Sequence, residues 1–406
     1  MSLESVIDSI EKARDNIISD MVEMIRIPAI GPFNGGEGET ARADHLMSYL
    51  KDFDVVERKD VADIHFPSVN RPNIIAKKFG KEKGTVWIVS HMDTVLPGDL
   101  SKWDSPPFEP KVDGDRIFGL GAEDNGQAVI ASIYGAKFIE NGSLSKKSIG
   151  LAIVSDEETT SLMGISHLID EGCFSEDDVI IVPDWGVPGG TMIEVAEKHL
   201  LWFKVCVTGK QIHGSIPDKG LNSFRISADL ICKLSDRLKE KFGNSNPIFR
   251  PSVSTFEPTK SYSDPVSVNI IPGYFEFYMD CRILPEYDPE IVFDYVKRIV
   301  SEYSEETEAE IEVVLEQMTF SGKPSSTDSE AFKAFRESVE AVVDGKVETV
   351  GVGGGTCANF FRLKGMDAYV WQTGGGTLHQ PNEHVFVSNI ISDAKVYANL
   401  FYRLCV

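Results

Sequence analysis

Histidine and acidic residues in this chain repeatedly follow short hydrophobic runs. The candidates are His91 and Asp93 after Val86–Ser90, Asp124 after Arg116–Gly121, Asp156, Glu157 and Glu158 after Leu151–Ser155, Asp184 after Val179–Pro183, and His379 after Tyr369–Gln372. Imidazole and carboxylate groups are ligands that divalent metals such as zinc accept. There are enough of them for two ions, so the residue types point to chemistry at a metal pair.

The hydrophobic runs are typical of buried strands that would position these ligands. They alternate with helical patterns, for example at 125–140 and 161–171, as expected for βαβ units and a largely parallel sheet. In an open α/β sheet, ligands bind in the crevice beyond the carboxyl ends of the strands. We therefore predict an α/β fold in which several strands deliver ligands to one site.

The pattern changes near residue 199, which indicates a second domain. The predicted elements there are a strand at 200–208, a helix at 222–242, strands at 253–256 and 274–282, a helix at 289–303 and a strand at 311–315. This is a ferredoxin-like α+β order. The sequence thus predicts a mostly parallel-sheet catalytic domain at 1–198 and 318–406, with residues 199–317 inserted as a lid and dimerisation domain.

Each local ligand pattern also has a simpler structural interpretation. His91 beside Asp93 is common in a surface turn, although a histidine ligand needs an acceptor that fixes its other ring nitrogen, and Asp93 is placed to provide one. The acidic run Asp156–Glu158 is also typical of a helix N-terminus, where acidic groups offset the helix dipole. If the run is functional, one glutamate can bind metal while its neighbour takes a proton from water.

The glycine-rich loop Gly119–Gly126 precedes a predicted helix. A dinucleotide site of a Rossmann oxidoreductase is one interpretation, but Glu123 and Asp124 would then face the phosphates. Asp124 is a candidate bridging ligand of a metal pair. Glu123 is expected to lie behind the ligands or to face solvent.

Three residues of the predicted insertion also have the chemistry of a site. His213 lies in a Gly/Pro-containing loop directly after a strand, which is a poor place for a core histidine. Asn269 and Arg282 flank another strand, and Arg282 could bind a substrate carboxylate through two hydrogen bonds. A surface ion pair is the alternative for Arg282.

Composition excludes several classes of partner. The 406 residues carry a net charge of −23, which argues against nucleic acid and anionic membranes, since both need a basic face. No apolar run approaches the roughly 18 residues of a membrane span, and the first twenty residues lack the apolar centre of a signal peptide. The six cysteines form no C-x-x-C pair and indicate free thiols in a reducing compartment, so a cytoplasmic location is expected. Cys357, in a glycine-rich loop, could line the site.

Taken together, the motifs resemble the dinuclear zinc aminoacylase/carboxypeptidase (M20-type) family. That family includes acetylornithine deacetylase, succinyl-diaminopimelate desuccinylase, aminoacylases and glutamate carboxypeptidases. The segments that carry the resemblance, in family order, are SHMDTV, WDSPPFEP, GLGAEDNGQ, SDEE, VPDWG, GKQIHGSIPDKGLN, VNIIPG, DCRILP and HQPNE. This chain departs from the usual family residues at Leu120, Gln127 and Cys357, none of which is a candidate ligand.

The resemblance implies a role for each candidate residue. His91 and Asp184 would hold one zinc ion, Glu158 and His379 would hold the other, and Asp124 would bridge them. Glu157 would be the general base and Asp93 would orient His91. His213 would reach the active site of a neighbouring subunit in a homodimer formed through the insertion, and Asn269 and Arg282 would bind the substrate's carboxylate end.

These roles predict a hydrolase that cleaves the amide bond of an N-acyl amino acid with two zinc or cobalt ions, as a desuccinylase or deacetylase of amino-acid biosynthesis does. A dipeptidase or carboxypeptidase of the same family is the alternative. A non-catalytic protein that binds amino acids or metals on the same fold is a further alternative. In each case the partner is a small molecule.

Overall fold

The computed structural model describes residues 2–264 and 267–406, which divide into two compact units. The first comprises the chain up to Val195, Pro324–Thr349 and Thr356–Val406, and the second comprises Ala196–Lys323 and Val350–Gly355. The second unit begins near the predicted change of pattern at residue 199. It also includes residues 350–355, which the sequence prediction assigned to the other domain.

The helices and strands are numbered in chain order. The helices are α1 Leu3–Lys12, α2 Arg14–Ile25, α3 Thr40–Met47, α4 Gln127–Lys137, α5 Ile165–Asp170, α6 Ser223–Lys241, α7 Pro289–Thr307, α8 Glu330–Glu340, α9 Ala358–Leu363 and α10 Val387–Cys405. The strands are β1 Val55–Ala62, β2 Asn70–Lys78, β3 Thr85–His91, β4 Lys111–Asp113, β5 Arg116–Phe118, β6 Ser148–Val154, β7 Val179–Val187, β8 Met192–Glu197, β9 His199–Thr208, β10 Ile212–His213, β11 Thr255–Ser263, β12 Ile270–Ile271, β13 Tyr274–Ile283, β14 Glu310–Thr319, β15 Glu348–Val352, β16 Ala368–Thr373 and β17 His384–Phe386.

The largest sheet has eight strands in the order β1-β2-β6-β3-β7-β16-β8-β15. Its centre is parallel, because β3 pairs in parallel with β6 and β7, and β7 pairs in parallel with β16. Strands β1 and β2 extend it in antiparallel fashion. The predicted α/β class with a largely parallel sheet is confirmed.

Both faces of this sheet are covered, which explains why its central strands are continuous apolar runs. All residues of β3, β6 and β16 are buried. Helices α4 and α10 pack on one face. On the other face α5 and α9 enclose Trp87, Val89, Ala152 and Val154. The carboxyl ends of the parallel strands therefore form one edge at which polar side chains can converge.

The run Arg116–Gly121 does not belong to this sheet. Only Arg116–Phe118 is a strand, and this strand, β5, lies between β17 and β4 in a separate three-stranded sheet. The expectation that all five runs are strands of one sheet is therefore wrong at this position. Asp124 is instead delivered by the turn Ala122–Gly126 before α4.

The second unit is built on an antiparallel sheet with the order β11-β13-β9-β14. The order of elements along the chain is strand, helix, two strands, helix, strand, as predicted. Alternate residues of β9 (Leu201, Phe203, Val205 and Val207) are completely buried and pack in one core with α6 and α7. Among the described residues, no helix is both long and apolar enough to span a membrane.

Candidate active site

His91 is the last residue of β3 and is almost completely buried. Its Nε2 atom lies 3.0 Å from Oδ1 of Asp124 and 3.2 Å from Oδ1 of Asp184. One nitrogen and two carboxylate oxygens from three different elements thus converge on a single point. His91 Nδ1 faces away from them and lies 3.2 Å from the main-chain oxygen of Asp93.

Asp124 presents its two carboxylate oxygens to two different histidines. Oδ1 faces His91, while Oδ2 lies 3.0 Å from Nε2 of His379. His379 Nε2 is also 3.2 Å from Oε2 of Glu158. This arrangement suits a carboxylate shared between two metal positions, one on the His91 side and one on the His379 side.

Ligand atoms form two compact groups that share His91. The atoms of His91, Asp124 and Glu158 lie within 4.8 Å of one another, and so do those of His91, Glu157 and Asp184. Glu157 is thus as close to the cluster as the candidate ligands. A general base also needs this closeness, because it must reach a proton of the water that reacts there.

Asp93 connects the histidine to the acidic pair. Its Oδ1 lies 3.4 Å from His91 Nδ1, and its two oxygens accept hydrogen bonds from the backbone N–H groups of Glu157 at 3.2 Å and Glu158 at 3.1 Å. The predicted orienting role concerned His91 alone. The structure adds the second set of contacts, which fixes the turn that carries both glutamates.

The charges of the cluster suit divalent cations. Burial, together with the negative charge of Asp184, raises the pKa of Glu157 well above its usual range. Burial and the charge of Asp124 raise the pKa of Glu158 to about 7. Hydrogen bonds to Asp124 and Glu158 raise the pKa of His379 to about 11. Three carboxyl groups crowded beside two histidines form a nitrogen and oxygen donor set whose negative charge a divalent cation would offset.

Asp184 lies within β7 rather than after a strand. The pairing of β7 with β16 shifts register between Val370, opposite Val182, and Gln372, opposite Gly186. This irregular segment contains Asp184. The expectation that the strand ends at Pro183 is wrong, since β7 continues to Val187.

Asn125 is a site residue that the sequence analysis missed. Its Nδ2 donates to the main-chain oxygen of Pro183 at 2.7 Å and to Oδ1 of Asp184 at 3.0 Å. Its Oδ1 accepts a hydrogen bond from the backbone N–H of His91 at 3.3 Å. The side chain therefore ties the turn of Asp124 to the end of β3 and to the irregular segment of β7, a role that no local pattern indicates.

Glu123 is completely buried, so of the two expected positions it takes the one behind the ligands and does not face solvent. Its carboxylate accepts hydrogen bonds from the backbone N–H groups of Gly375, Gly376 and Thr377 at 2.6, 2.8 and 2.7 Å. It also accepts from Oγ1 of Thr377 at 2.5 Å. Glu123 thus holds the glycine loop that leads to His379 from behind the ligands.

Glu383 makes the reciprocal contact, and the sequence analysis missed it. Its carboxylate accepts hydrogen bonds from the backbone N–H groups of Gly121, Glu123 and Asp124 at 2.9, 2.8 and 2.9 Å. Each of the two loops therefore provides a buried carboxylate that accepts hydrogen bonds from the backbone of the other loop. Glu123 belongs to the loop of Asp124, and Glu383 belongs to the loop of His379. We call Glu123 and Glu383 the carboxylate clamp. The pattern E-D in one loop and N-E in the other is too short to have predicted it.

Cys357 precedes α9 and is buried. Burial and the negative charges of Glu157 and Asp184 raise its pKa well above the usual range of a thiol. A neutral thiol follows, so Cys357 contributes no negative charge to the ligand cluster.

His213 and Asn269 lie next to each other in the second unit. His213 pairs with Ile270 in the short ribbon of β10 and β12, and the main-chain oxygen of Asn269 accepts a hydrogen bond from Gly214 at 2.7 Å. The His213 ring is exposed, and its Nδ1 lies 2.8 Å from Oγ of Ser215. Nδ1 of His213 is thus engaged within its own loop.

Arg282 forms the ion pair that was the alternative to substrate binding. Its Nε and Nη2 atoms contact the two oxygens of Asp280 at 2.7 and 3.0 Å, and Nη1 donates to the main-chain oxygen of Gly353 at 2.9 Å. A substrate carboxylate would have to replace Asp280 to be bound by two hydrogen bonds. Arg282 as a substrate ligand therefore stays a prediction.

The comparison with known proteins gives the class. The sequence pattern of Peptidase family M20/M25/M40 matches residues 87–403. An uncharacterized metallohydrolase of Methanocaldococcus jannaschii is 37% identical over 397 residues, which cover 92% of this chain and 96% of that protein. A succinyl-diaminopimelate desuccinylase of Methylococcus capsulatus is 26% identical over 328 residues, with coverage of 78% and 82%.

The fold comparison agrees with the sequence comparison. The structure of a tripeptidase from Staphylococcus aureus superposes with a TM-score of 0.76 at 17% identity, and the match covers 96% of this chain and 98% of that one. The chain belongs to Peptidase family M20/M25/M40. It is a metallohydrolase of the amidohydrolase and peptidase class, as the resemblance implied.

Proposed function

We propose that this enzyme hydrolyses the amide bond of an N-acyl amino acid. The observation that carries the proposal is the position of Asp124 between His91 and His379, with Glu157 beside the same cluster. The likeness to a succinyl-diaminopimelate desuccinylase supports a deacylase. A role in amino-acid biosynthesis and a cytoplasmic location belong to the same proposal, and six free cysteines suit a reducing compartment.

The candidate ligands fit a pair of divalent ions, zinc or cobalt. His91 and Asp184 would hold one ion, Glu158 and His379 would hold the other, and Asp124 would contact both. When bound, such ions act as Lewis acids that acidify water and polarise an amide carbonyl.

The chain's own groups would move the protons. Glu157 accepts a proton from the attacking water and returns it to the leaving amine, so that one carboxylate serves as base and then as acid. Asp93 keeps the backbone of Glu157 and Glu158 in place. His213 of the partner subunit in a homodimer would donate a hydrogen bond to the developing oxyanion. Asn269 and Arg282 would bind the substrate's carboxylate.

A short peptide is the second candidate substrate. It is favoured by the close superposition with a tripeptidase. The same groups would cleave a peptide bond, because both substrates present an amide next to a free carboxylate.

A substrate panel tests the proposal. Enzyme loaded with zinc or with cobalt is assayed on N-acetyl-ornithine, N-succinyl-diaminopimelate, N-acetyl-methionine and simple dipeptides under identical conditions. We expect the highest kcat/KM for an N-acyl amino acid. Faster turnover of dipeptides would favour the peptidase, and metal uptake without turnover of any panel member would indicate a non-catalytic binding protein.

A further inference from the structure

A cavity of about 330 Å³ lies beside the ligand cluster within the first unit. Glu158 lines the cavity and also belongs to the cluster, so the two spaces adjoin. A group bound in the cavity would therefore lie next to the reacting amide. Its volume is at the lower end of the range for ligand pockets and exceeds what an acetyl group needs.

Two apolar side chains, Phe33 and Met163, line the cavity. Phe33 is 66% exposed at the tip of the turn Pro32–Asn34, and its ring lies 6.0 Å from the ring of His65. Met163 is buried in the wall. An exposed aromatic ring on the rim of a cavity is a surface that an apolar or aromatic ligand would cover.

The one arginine of the cavity wall is already neutralised. Arg71 is almost completely buried, and its guanidinium contacts Glu39 at 2.7 and 3.0 Å, Asp63 at 3.0 Å and Asp156 at 3.4 Å. Its Nε, Nη1 and Nη2 atoms all have carboxylate partners, so Arg71 is not available as a counter-ion for a negatively charged acyl group.

The two threonine hydroxyl groups in the cavity wall already donate hydrogen bonds within the protein. Thr159 Oγ1 donates to Asp156, and Thr160 Oγ1 donates to the same carboxylate at 2.6 Å. Neither hydroxyl hydrogen is therefore free for a carboxylate of the ligand. Asn34 and His65 also line the cavity, and the apolar surface that it offers to an acyl group comes from Phe33 and Met163.

We propose that this cavity is the acyl subsite, that it takes a bulky uncharged acyl group in preference to acetyl or succinyl, and that Phe33 determines this specificity. The proposal rests on the proposed function, which assigns the substrate's carboxylate end to Asn269 and Arg282 and leaves the acyl end for the space beside Glu158. It names the substrate class as N-aroyl or similarly apolar N-acyl amino acids.

The first experiment measures kcat/KM for N-benzoyl-, N-acetyl- and N-succinyl-methionine. We expect wild-type enzyme to prefer N-benzoyl-methionine to each of the others by about tenfold, on the basis of the apolar area that the ring buries. Phe33→Ala should lower the ratio of kcat/KM for N-benzoyl-methionine to kcat/KM for N-acetyl-methionine by a similar factor. Phe79→Ala is the matched control, because Phe79 is also exposed but does not line the cavity, and it should keep the wild-type ratio. A preference for succinyl, or an unchanged ratio in Phe33→Ala, would overturn the proposal.

A second experiment separates this proposal from the proposed function. Binding of the same three compounds to the zinc-loaded Glu157→Ala variant is measured by calorimetry, which needs no turnover. Tighter binding of the benzoyl compound that is lost on adding Phe33→Ala supports the acyl subsite, even if wild-type enzyme cleaves none of them. Equal binding of all three compounds overturns the subsite, even if wild-type enzyme hydrolyses N-acetyl-methionine.

Discussion

Glu157 and Glu158 are adjacent in sequence, yet Glu157 is the proposed general base and Glu158 is a proposed metal ligand. Both lie within the ligand cluster, and the pKa of each is raised by burial and neighbouring carboxylates. Their side chains nonetheless have different partners, because Glu158 contacts His379 whereas Glu157 lies with His91 and Asp184. The difference between a base and a ligand can therefore be measured by comparing the two residues.

We expect Glu157→Ala to lower kcat about a thousandfold while the enzyme keeps its metal, since a general base contributes rate rather than affinity. Glu158→Ala is the matched comparison and should lose metal from the His379 side. Metal content by atomic emission and kcat on the best panel substrate are the two readings. Near-normal kcat of Glu157→Ala at full metal content would contradict the base assignment.

For single residues, the sequence predicted the candidate metal ligands more readily than the residues that fix the positions of those ligands. His91, Asp124 and His379 were predicted from single patterns, and the structure brings them together. Asn125 and Glu383 were missed because their partners are backbone groups remote in sequence. A backbone N–H leaves no trace in the identity of its residue, so such contacts cannot be inferred from one sequence.

The carboxylate clamp of Glu123 and Glu383 joins the two loops that carry Asp124 and His379. We expect Glu383→Gln to weaken metal binding, because an amide nitrogen would meet the backbone donor of Gly121 where a carboxylate oxygen now accepts. Losing one buried hydrogen bond and adding an unpaired donor costs about 2 kcal/mol.

Metal affinity measured with a competing chelator gives the result, alongside the free energy of unfolding of the metal-free protein. Glu109→Gln is a control at an exposed position and should change neither value. Unchanged affinity in Glu383→Gln would show that the loops hold their positions without the clamp.

Asp393 of α10 connects three elements behind the site. It accepts hydrogen bonds from Gln127 Nε2 at 2.6 Å and from Thr373 Oγ1 at 2.6 Å, so it joins the start of α4 to the end of β16. Burial raises its pKa to about 7, while its neutral partners lower it only in part. A lysine in place of Gln127 would supply a positive charge next to Asp393 that the neutral amide does not.

The contribution of Asp393 to the free energy of unfolding should therefore decrease as the pH rises. In the unfolded chain Asp393 loses its proton near the ordinary pKa of an aspartate, whereas in the folded protein it keeps the proton up to about pH 7. The stabilisation from this difference is therefore complete below the unfolded-state pKa and is lost as the pH rises to about 7. We expect the free energy of unfolding of wild type, relative to Asp393→Asn, to fall by about 3 kcal/mol between about pH 5 and pH 8. Urea denaturation of both metal-free proteins at each pH measures it, and a constant difference would show that the Asp393 pKa is not raised.

The elements themselves were predicted unevenly. β3, β6 and β16 are buried on both faces and stand out as continuous apolar runs. β1, with the sequence VVERKDVA, was missed because it is only partly buried and its charged residues hide the alternation. β15 was missed because five residues in a glycine-rich stretch carry too little pattern. Pairing with a neighbouring strand, β2 for β1 and β8 for β15, makes these segments strands, rather than local preference.

At the scale of the whole molecule, the proposed function requires a homodimer in which each active site borrows His213 from the other subunit. His213 is exposed in the second unit, and its Nδ1 is already in contact with Ser215. Such sharing can be tested by mixing inactive variants, since a heterodimer combines the residues of both chains.

We expect Glu157→Ala and His213→Ala to be nearly inactive alone and to recover about a quarter of wild-type activity when their subunits are exchanged. Half of the randomly assembled dimers are heterodimers, and in each the subunit that keeps Glu157 receives His213 of the partner subunit. A mixture of Glu157→Ala with Glu158→Ala is the matched control and should recover nothing, because each of those residues serves its own subunit's site. Recovery is read from initial rates after exchange is verified with two affinity tags. If verified heterodimers of the first pair stay inactive, His213 acts within its own subunit or has no part in the reaction.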